Sequence, residues 1–183
     1  MPDALTLLKD DHRRVEGLFK KYEKTTDRAL VTRRELVDKM IEELSIHAAI
    51  EEQVLYPIAR EVSADLETDT LEALEEHHLV KVTLAELQKM DPDHERFHPK
   101  VTVLMEAVRH HVEEEEAEMF PALRKAMSRS DLASMGEALE GAKTAAPTRP
   151  HPGAPDAPPS NLIVGMISGV IDRVRDGARA VLP

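Results

Sequence analysis

The sequence predicts an all-α protein: an up-down-up-down four-helix bundle, a short fifth helix, and a C-terminal amphipathic helix beyond a Pro-rich linker. Three observations lead there. Aromatic residues are scarce, with three Phe, two Tyr and no Trp, while Ala, Leu, Glu, Lys and Met abound, a composition that favours helices over sheets. Four long stretches carry apolar residues at helical spacing. The chain also repeats itself: His47-Ala48-Ala49-Ile50-Glu51 through Tyr56-Pro57 aligns without a gap with His111-Val112-Glu113-Glu114-Glu115 through Phe120-Pro121, and Asp10-Asp11-His12-Arg13 matches Glu75-Glu76-His77-His78.

A chain of 183 residues is long enough to bury a substantial core, and it divides into a bundle (1–144), a Pro/Ala-rich linker (145–160) and a terminal helix (161–183). The formal charge of -11 argues against a phosphate-binding surface and hence against a nucleic-acid partner. The absence of cysteine excludes disulfides, thiolate zinc sites and Cys nucleophiles, and suits a cytoplasmic location. Met1-Pro2-Asp3-Ala4 lacks the form of a signal peptide, and the apolar-rich run from Asn161 to Ile171 is too short to span a bilayer.

The first helix is expected from Pro2 or Asp3 to Lys24, with Leu5, Leu8, Val15, Phe19 and Tyr22 on one stripe and His12 in phase with them. Thr25-Thr26-Asp27 breaks it. A second, Arg28 to Val62, turns Val37, Met40, Ile41, Leu44, His47, Glu51, Leu55 and Ile58 inward, with a kink at Pro57. The third, from Asp65 or Thr70 to Met90, turns Leu74, His77, Val80, Leu84 and Leu87 inward and ends at Asp91-Pro92-Asp93. The fourth, from about His98 to Met127, turns in Val101, Leu104, Val108, His111, Glu115, Met119 and Leu123, with a second kink at Pro121. Ser130-Asp131 is expected to cap a fifth helix from Leu132 to Lys143. Asn161 to Leu182 reads as an amphipathic helix that docks on the bundle or on a second copy of the chain as a homodimer; a polar face that is not strongly basic disfavours the membrane surface.

Each half thus contributes a histidine from one helix and His-x-x-x-Glu from the next, the latter sharing one helix face. A glutamate on an inward stripe is costly unless a cation compensates it. His12, His47, Glu51, His77, His111 and Glu115 are therefore the candidate metal ligands, one imidazole per helix at one level, suited to two ions bridged by the carboxylates. The donor set suits iron, manganese or zinc. His78 and His110 adjoin the chosen residues and are alternatives. The acid pair upstream of His77, like that of His12, and the spacing of His111 to Pro121, like that of His47 to Pro57, favour His77 and His111. Each residue alone has a plainer reading: an inward histidine is usually a satisfied core residue, and Glu113 to Glu116 a solvated face. Recurrence in register outweighs these readings. Leu8, Leu44, Leu55, Val108 and Met119 should wall the site. Tyr56 and Phe120 fall on the far side of their helices from His47 and His111 and are assigned to packing, while Glu16 and Lys81 read as helix-surface charges.

The pattern His, His-x-x-x-Glu, His, His-x-x-x-Glu, with its aromatic-Pro endings, resembles the hemerythrin-like (HHE cation-binding) family over about residues 3 to 127. The resemblance implies a four-helix bundle with two non-haem iron ions, oxo- or hydroxo-bridged, at His12, His47, Glu51, His77, His111 and Glu115. Oxygen-carrying members have a further histidine where Lys81 stands and an aspartate where Glu116 stands. The missing imidazole argues against reversible oxygen carriage and opens a position for water, peroxide or nitric oxide. The resemblance to bacterial members implies a catalase-like reaction, with one peroxide reduced to water and another oxidised to dioxygen. The alternative is a module that binds or senses oxygen, nitric oxide or iron without turnover; a purely structural zinc bundle is a third reading.

Overall fold

The computed structural model describes residues 2–62 and 65–155. Helix α1, Ala4–Glu23, starts at Asp3, whose carboxylate accepts the Thr6 N–H at 2.9 Å, a side-chain cap on an otherwise orphaned donor. It is followed by α2 (Leu30–Ile50), α3 (Tyr56–Val62), α4 (Asp65–Lys89), α5 (Phe97–Glu114), α6 (Phe120–Ala126) and α7 (Arg129–Lys143). Helices α1, α2 with α3, α4, and α5 with α6 form the expected bundle, and α7 lies against α1, α2 and the turn between α2 and α3.

The predicted proline kinks take a specific form. A π-helical turn, Glu51–Leu55, joins α2 to α3, and a second, Glu115–Met119, joins α5 to α6. The Tyr56 N–H bonds to the Glu51 carbonyl and the Phe120 N–H to the Glu115 carbonyl, each five residues back. Pro57 and Pro121 follow at once, in the first turn of the next helix, where a missing N–H costs little. A π turn holds one more residue than an α turn, so everything downstream is rotated. Tyr56 and Ala59 become buried while Ile58, expected inside, is only half-buried.

The cap of α7 is Ser128, not Ser130: its hydroxyl accepts the Asp131 N–H, and the Asp131 side chain accepts the Ser128 N–H. This reciprocal Ser-x-x-Asp pairing starts the helix at Arg129. A Cβ on Gly136 would lie 2.8 Å from the Pro2 carbonyl oxygen, so glycine is what lets α7 close on the N-terminus. Ala146, Thr148 and Pro150 are buried; the first part of the Pro/Ala-rich stretch lies on the bundle. The expected terminal helix, Asn161 to Leu182, falls outside the described residues.

Two apolar clusters fill the bundle. One gathers Leu5, Leu8, Ile50, Leu55, Phe120 and Leu132; the other Phe19, Val37, Met40, Leu84, Phe97 and Leu104. The polar layer lies between them.

Candidate metal centre

All six predicted residues come together, and all are buried, Glu51 completely (0% exposed). Their ligating atoms form two groups sharing Glu51: His12, His47, Glu51 and Glu115 on one side, Glu51, His77 and His111 on the other. The Nε2 atoms of His12 and His47 stand 3.1 Å apart, as do those of His77 and His111. Glu51 Oε2 lies 3.2 Å from His47 Nε2 and 3.5 Å from His77 Nε2, so one oxygen faces both groups. Glu115 spans them with two: Oε2 is 3.4 Å from His12 Nε2 and Oε1 is 3.7 Å from His111 Nε2.

Both oxygens of Glu51 and Oε2 of Glu115 are buried and accept no hydrogen bond. Such orphaned acceptors are costly in a core. Donor atoms sharing a cation at about 2.1 Å stand roughly 3 Å apart when held at right angles, close to the spacings seen. The residues present therefore fit metal binding.

The next ring of residues was not anticipated. His12 Nδ1 pairs with Glu116 at 2.8 Å, His77 Nδ1 with Glu52 at 3.0 Å, and His111 Nδ1 with Glu76 at 2.7 Å. Asp11 faces His47 Nδ1 at 3.8 Å, beyond hydrogen-bond reach. Each carboxylate adjoins a candidate ligand in sequence yet serves a histidine on another helix. A carboxylate on Nδ1 orients the ring and leaves Nε2 free to bind. Three of the four are themselves paired with lysine: Asp11 with Lys143, Glu52 with Lys81 and Glu116 with Lys9. The signal was visible, since every ligand-bearing motif carries an adjacent acid, but the partner of each acid is set by tertiary packing. Lys81 is thus buried against Glu52 rather than on the helix surface. Glu16 pairs with Arg109 at 2.9 Å, and Glu116 is only half-exposed.

Tyr56, assigned to packing from sequence, reaches the site. Its hydroxyl donates to Glu115 Oε1 at 3.0 Å and lies 3.1 Å from His77 Nε2. The π turn moves it there. Phe120 packs as expected, stacked on the His12 ring at 5.9 Å. The alternatives His78 and His110 are exposed, so His77 and His111 are the histidines that enter the layer.

Burial and the neighbouring Glu115 push the Glu51 carboxyl well above its usual range. Burial opposes charge on Glu115 too, but His111, His12 and His47 outweigh it and hold this carboxyl low. Burial drives His47 down to about 4 despite Asp11, and lowers His77 despite Glu52. On His12 and His111 burial is outweighed by Glu115 with Glu116 and by Glu115 with Glu76, and both are raised. Burial, then Glu115 and Glu51, raise Tyr56, which keeps its proton.

A helical bundle with a buried His/Glu layer built in duplicate is a metal-binding module. The hemerythrin HHE cation-binding domain family matches residues 3–123, and the chain belongs to that family. An uncharacterized hemerythrin-like protein of Schizosaccharomyces pombe is 31% identical over 167 residues, covering 91% of this chain and 81% of that one. The crystal structure of a hemerythrin HHE cation-binding domain-containing protein from Mycobacterium kansasii superposes with a TM-score of 0.66 at 26% identity, covering 78% of this chain and 86% of that chain. A DNA nickase of Nostoc sp. is 28% identical over 138 residues, 75% of this chain but 38% of its own length.

Proposed function

We infer that the chain holds two iron ions, with His12, His47, Glu51, His77, His111 and Glu115 as ligands, and disproportionates hydrogen peroxide. The observation that carries this reading is the pair of donor groups joined by Glu51 and Glu115, with both Glu51 oxygens and Glu115 Oε2 buried without hydrogen bonds. Iron in such a site supplies a ferrous/ferric redox couple. Two peroxides then give two waters and one dioxygen, one peroxide being reduced and the other oxidised, without an outside reductant.

The chain's own residues suit a small neutral reactant. A cavity of about 20 Å³ touches all four imidazoles and is walled by Val15, Leu44, Val80, Val108 and Val112. That is room for one water-sized molecule. His12, Val15, Val108 and Val112 also line a wider groove of about 440 Å³ between α1 and α5, an apolar path inward. Tyr56 holds a proton beside Glu115 Oε1 and His77 Nε2.

Metal analysis and an absorption spectrum of protein made in iron-rich medium come first, then oxygen evolution from peroxide. About two irons per chain with oxygen evolution is the expected result. Two irons without oxygen evolution leave the module that binds oxygen, nitric oxide or iron. Zinc without redox colour overturns the iron reading.

A further inference from the structure

A second opening leads to the same site from the opposite chemistry. Between α4 and the second π turn lies a pocket of about 80 Å³ whose rim carries Asp69, Glu72, Glu114 and Glu118, with Glu76 deeper. At its floor are His111 and Glu115 of the buried layer. Among the described residues no lysine or arginine pairs with Asp69, Glu72 or Glu118. Some acids elsewhere on the surface are paired, as Glu86 is with Lys100 and Glu16 with Arg109. The α1–α5 groove, by contrast, is walled by Val15, Phe19, Val108 and Val112, and its two acids are paired, Glu16 with Arg109 and Lys20, and Glu116 with Lys9.

A mixed group stands at the edge of this pocket: Glu76 and Glu114 line it, and His110 lies beside them outside the lining. Glu76, His110 and Glu114 offer ligating atoms all within 4.8 Å of one another, with His110 Nε2 at 3.3 Å from Glu114 Oε1 and 4.0 Å from Glu76 Oε1. The other oxygen of Glu76 accepts from His111 Nδ1 at 2.7 Å. One carboxylate therefore links the outer group to a residue of the inner layer. Glu115, 2% exposed, lines the pocket from inside; its Oε1 is the oxygen nearer His111, while Oε2, which accepts no hydrogen bond, faces His12.

We propose that the acidic pocket between α4 and the second π turn is the port through which hydrated divalent cations reach the buried layer, with Glu76, His110 and Glu114 as its outer docking position. The inference rests on the metal-binding reading above. An unneutralised acidic funnel with low-dielectric walls concentrates cations and speeds their capture. The apolar groove gives a cation no such attraction. Cations and neutral reactants thus have separate ways in.

The test is the rate at which metal-free, full-length protein takes up cobalt(II), followed by its visible absorption in stopped flow at low salt. The variants are Glu114→Gln/Glu118→Gln and, separately, His110→Gln; Glu76 is left intact because it holds His111. Glu35→Gln/Glu42→Gln, on the exposed side of α2, removes the same charge away from the pocket. Both port variants should load more slowly, the carboxylate pair by about tenfold, and reach the same final cobalt content and spectrum. Glu114→Gln/Glu118→Gln, which removes two charges, should also lose most of the wild-type sensitivity to added salt, whereas His110→Gln should keep it. The control should load at the wild-type rate. Port variants that load as fast as wild type, or a control slowed equally, overturn the port alone. Wild-type protein that takes up no cobalt overturns the buried-site reading and the port with it.

Discussion

The two halves of the bundle repeat one motif but complete it differently. After the first π turn comes Tyr56, and after the second comes Phe120. The Tyr56 hydroxyl binds Glu115 and approaches His77, whereas Phe120 stacks on His12 beneath Lys9. One half therefore has a protic group among its donors and the other an apolar lid. The two glutamates differ accordingly. Glu115 accepts a hydrogen bond and its carboxyl is held low by the surrounding histidines, while Glu51 accepts none and is pushed well above the usual carboxylate range by burial and by Glu115. A duplicated backbone does not imply duplicated chemistry; one oxygen atom separates the halves.

The largest way to break the comparison is to remove the shared carboxylate. Glu51→Ala should weaken metal binding at both groups by roughly a hundredfold or more, beyond the 10–100-fold typical of outer partners, while the metal-free protein melts no lower than wild type because an orphaned buried carboxyl has gone. Metal analysis after dialysis, paired with a thermal melt, checks both parts. Equal metal retention would show that Glu51 is not shared.

Next come the carboxylates behind the histidines. Glu76→Gln and Glu52→Gln should each lower affinity by about 10–100-fold. Asp11→Asn, whose partner stands at 3.8 Å, should cost less than either. Competition titration against a coloured chelator ranks them, and an Asp11 variant as weak as the others would contradict the geometry.

Acidification distinguishes the histidine pairs. Glu51, His12 and His111 are raised and must release protons to bind metal, so apparent affinity should fall about tenfold per pH unit for each proton displaced as pH drops below neutrality. His47 is shifted the other way, and its effect is on the metal-free fold. Its folded value near 4 lies below the 6.5 of an unperturbed histidine, so its contribution to stability is intact above about 6.5 and erodes as pH falls towards 4. Proton release on titration with metal, and urea unfolding against pH, separate the two effects.

The smallest change erases the asymmetry itself. Tyr56→Phe leaves Glu115 Oε1 without its donor and should destabilise the metal-free protein by about 1–3 kcal/mol, measured by urea unfolding. Stability equal to wild type would mean that the hydroxyl is not engaged there.

Much of this was legible in sequence because it is written locally. Helical periodicity and punctuation located the bundle helices, and the doubled His-x-x-x-Glu with its upstream histidine picked all six residues that converge. The failures share a cause. Tyr56 was placed by counting at the α-helical period, and the count fails across a turn with one extra residue. Lys81 was read as a surface charge because its partner, Glu52, lies on another helix. Ser130 was favoured as a cap over Ser128, although Ser128 and Asp131 have the capping-box spacing.

By itself, then, the sequence determined the helices, the inward stripes and the level at which imidazoles and carboxylates meet, since these follow from the period of one helix. Tertiary structure alone decided which acid orients which histidine, that Tyr56 rather than Phe120 brings a hydroxyl to the layer, and that an acidic and an apolar opening reach it from different sides. Those features depend on how helices are rotated against one another, and that rotation is set by packing across the bundle and by where the π turns fall.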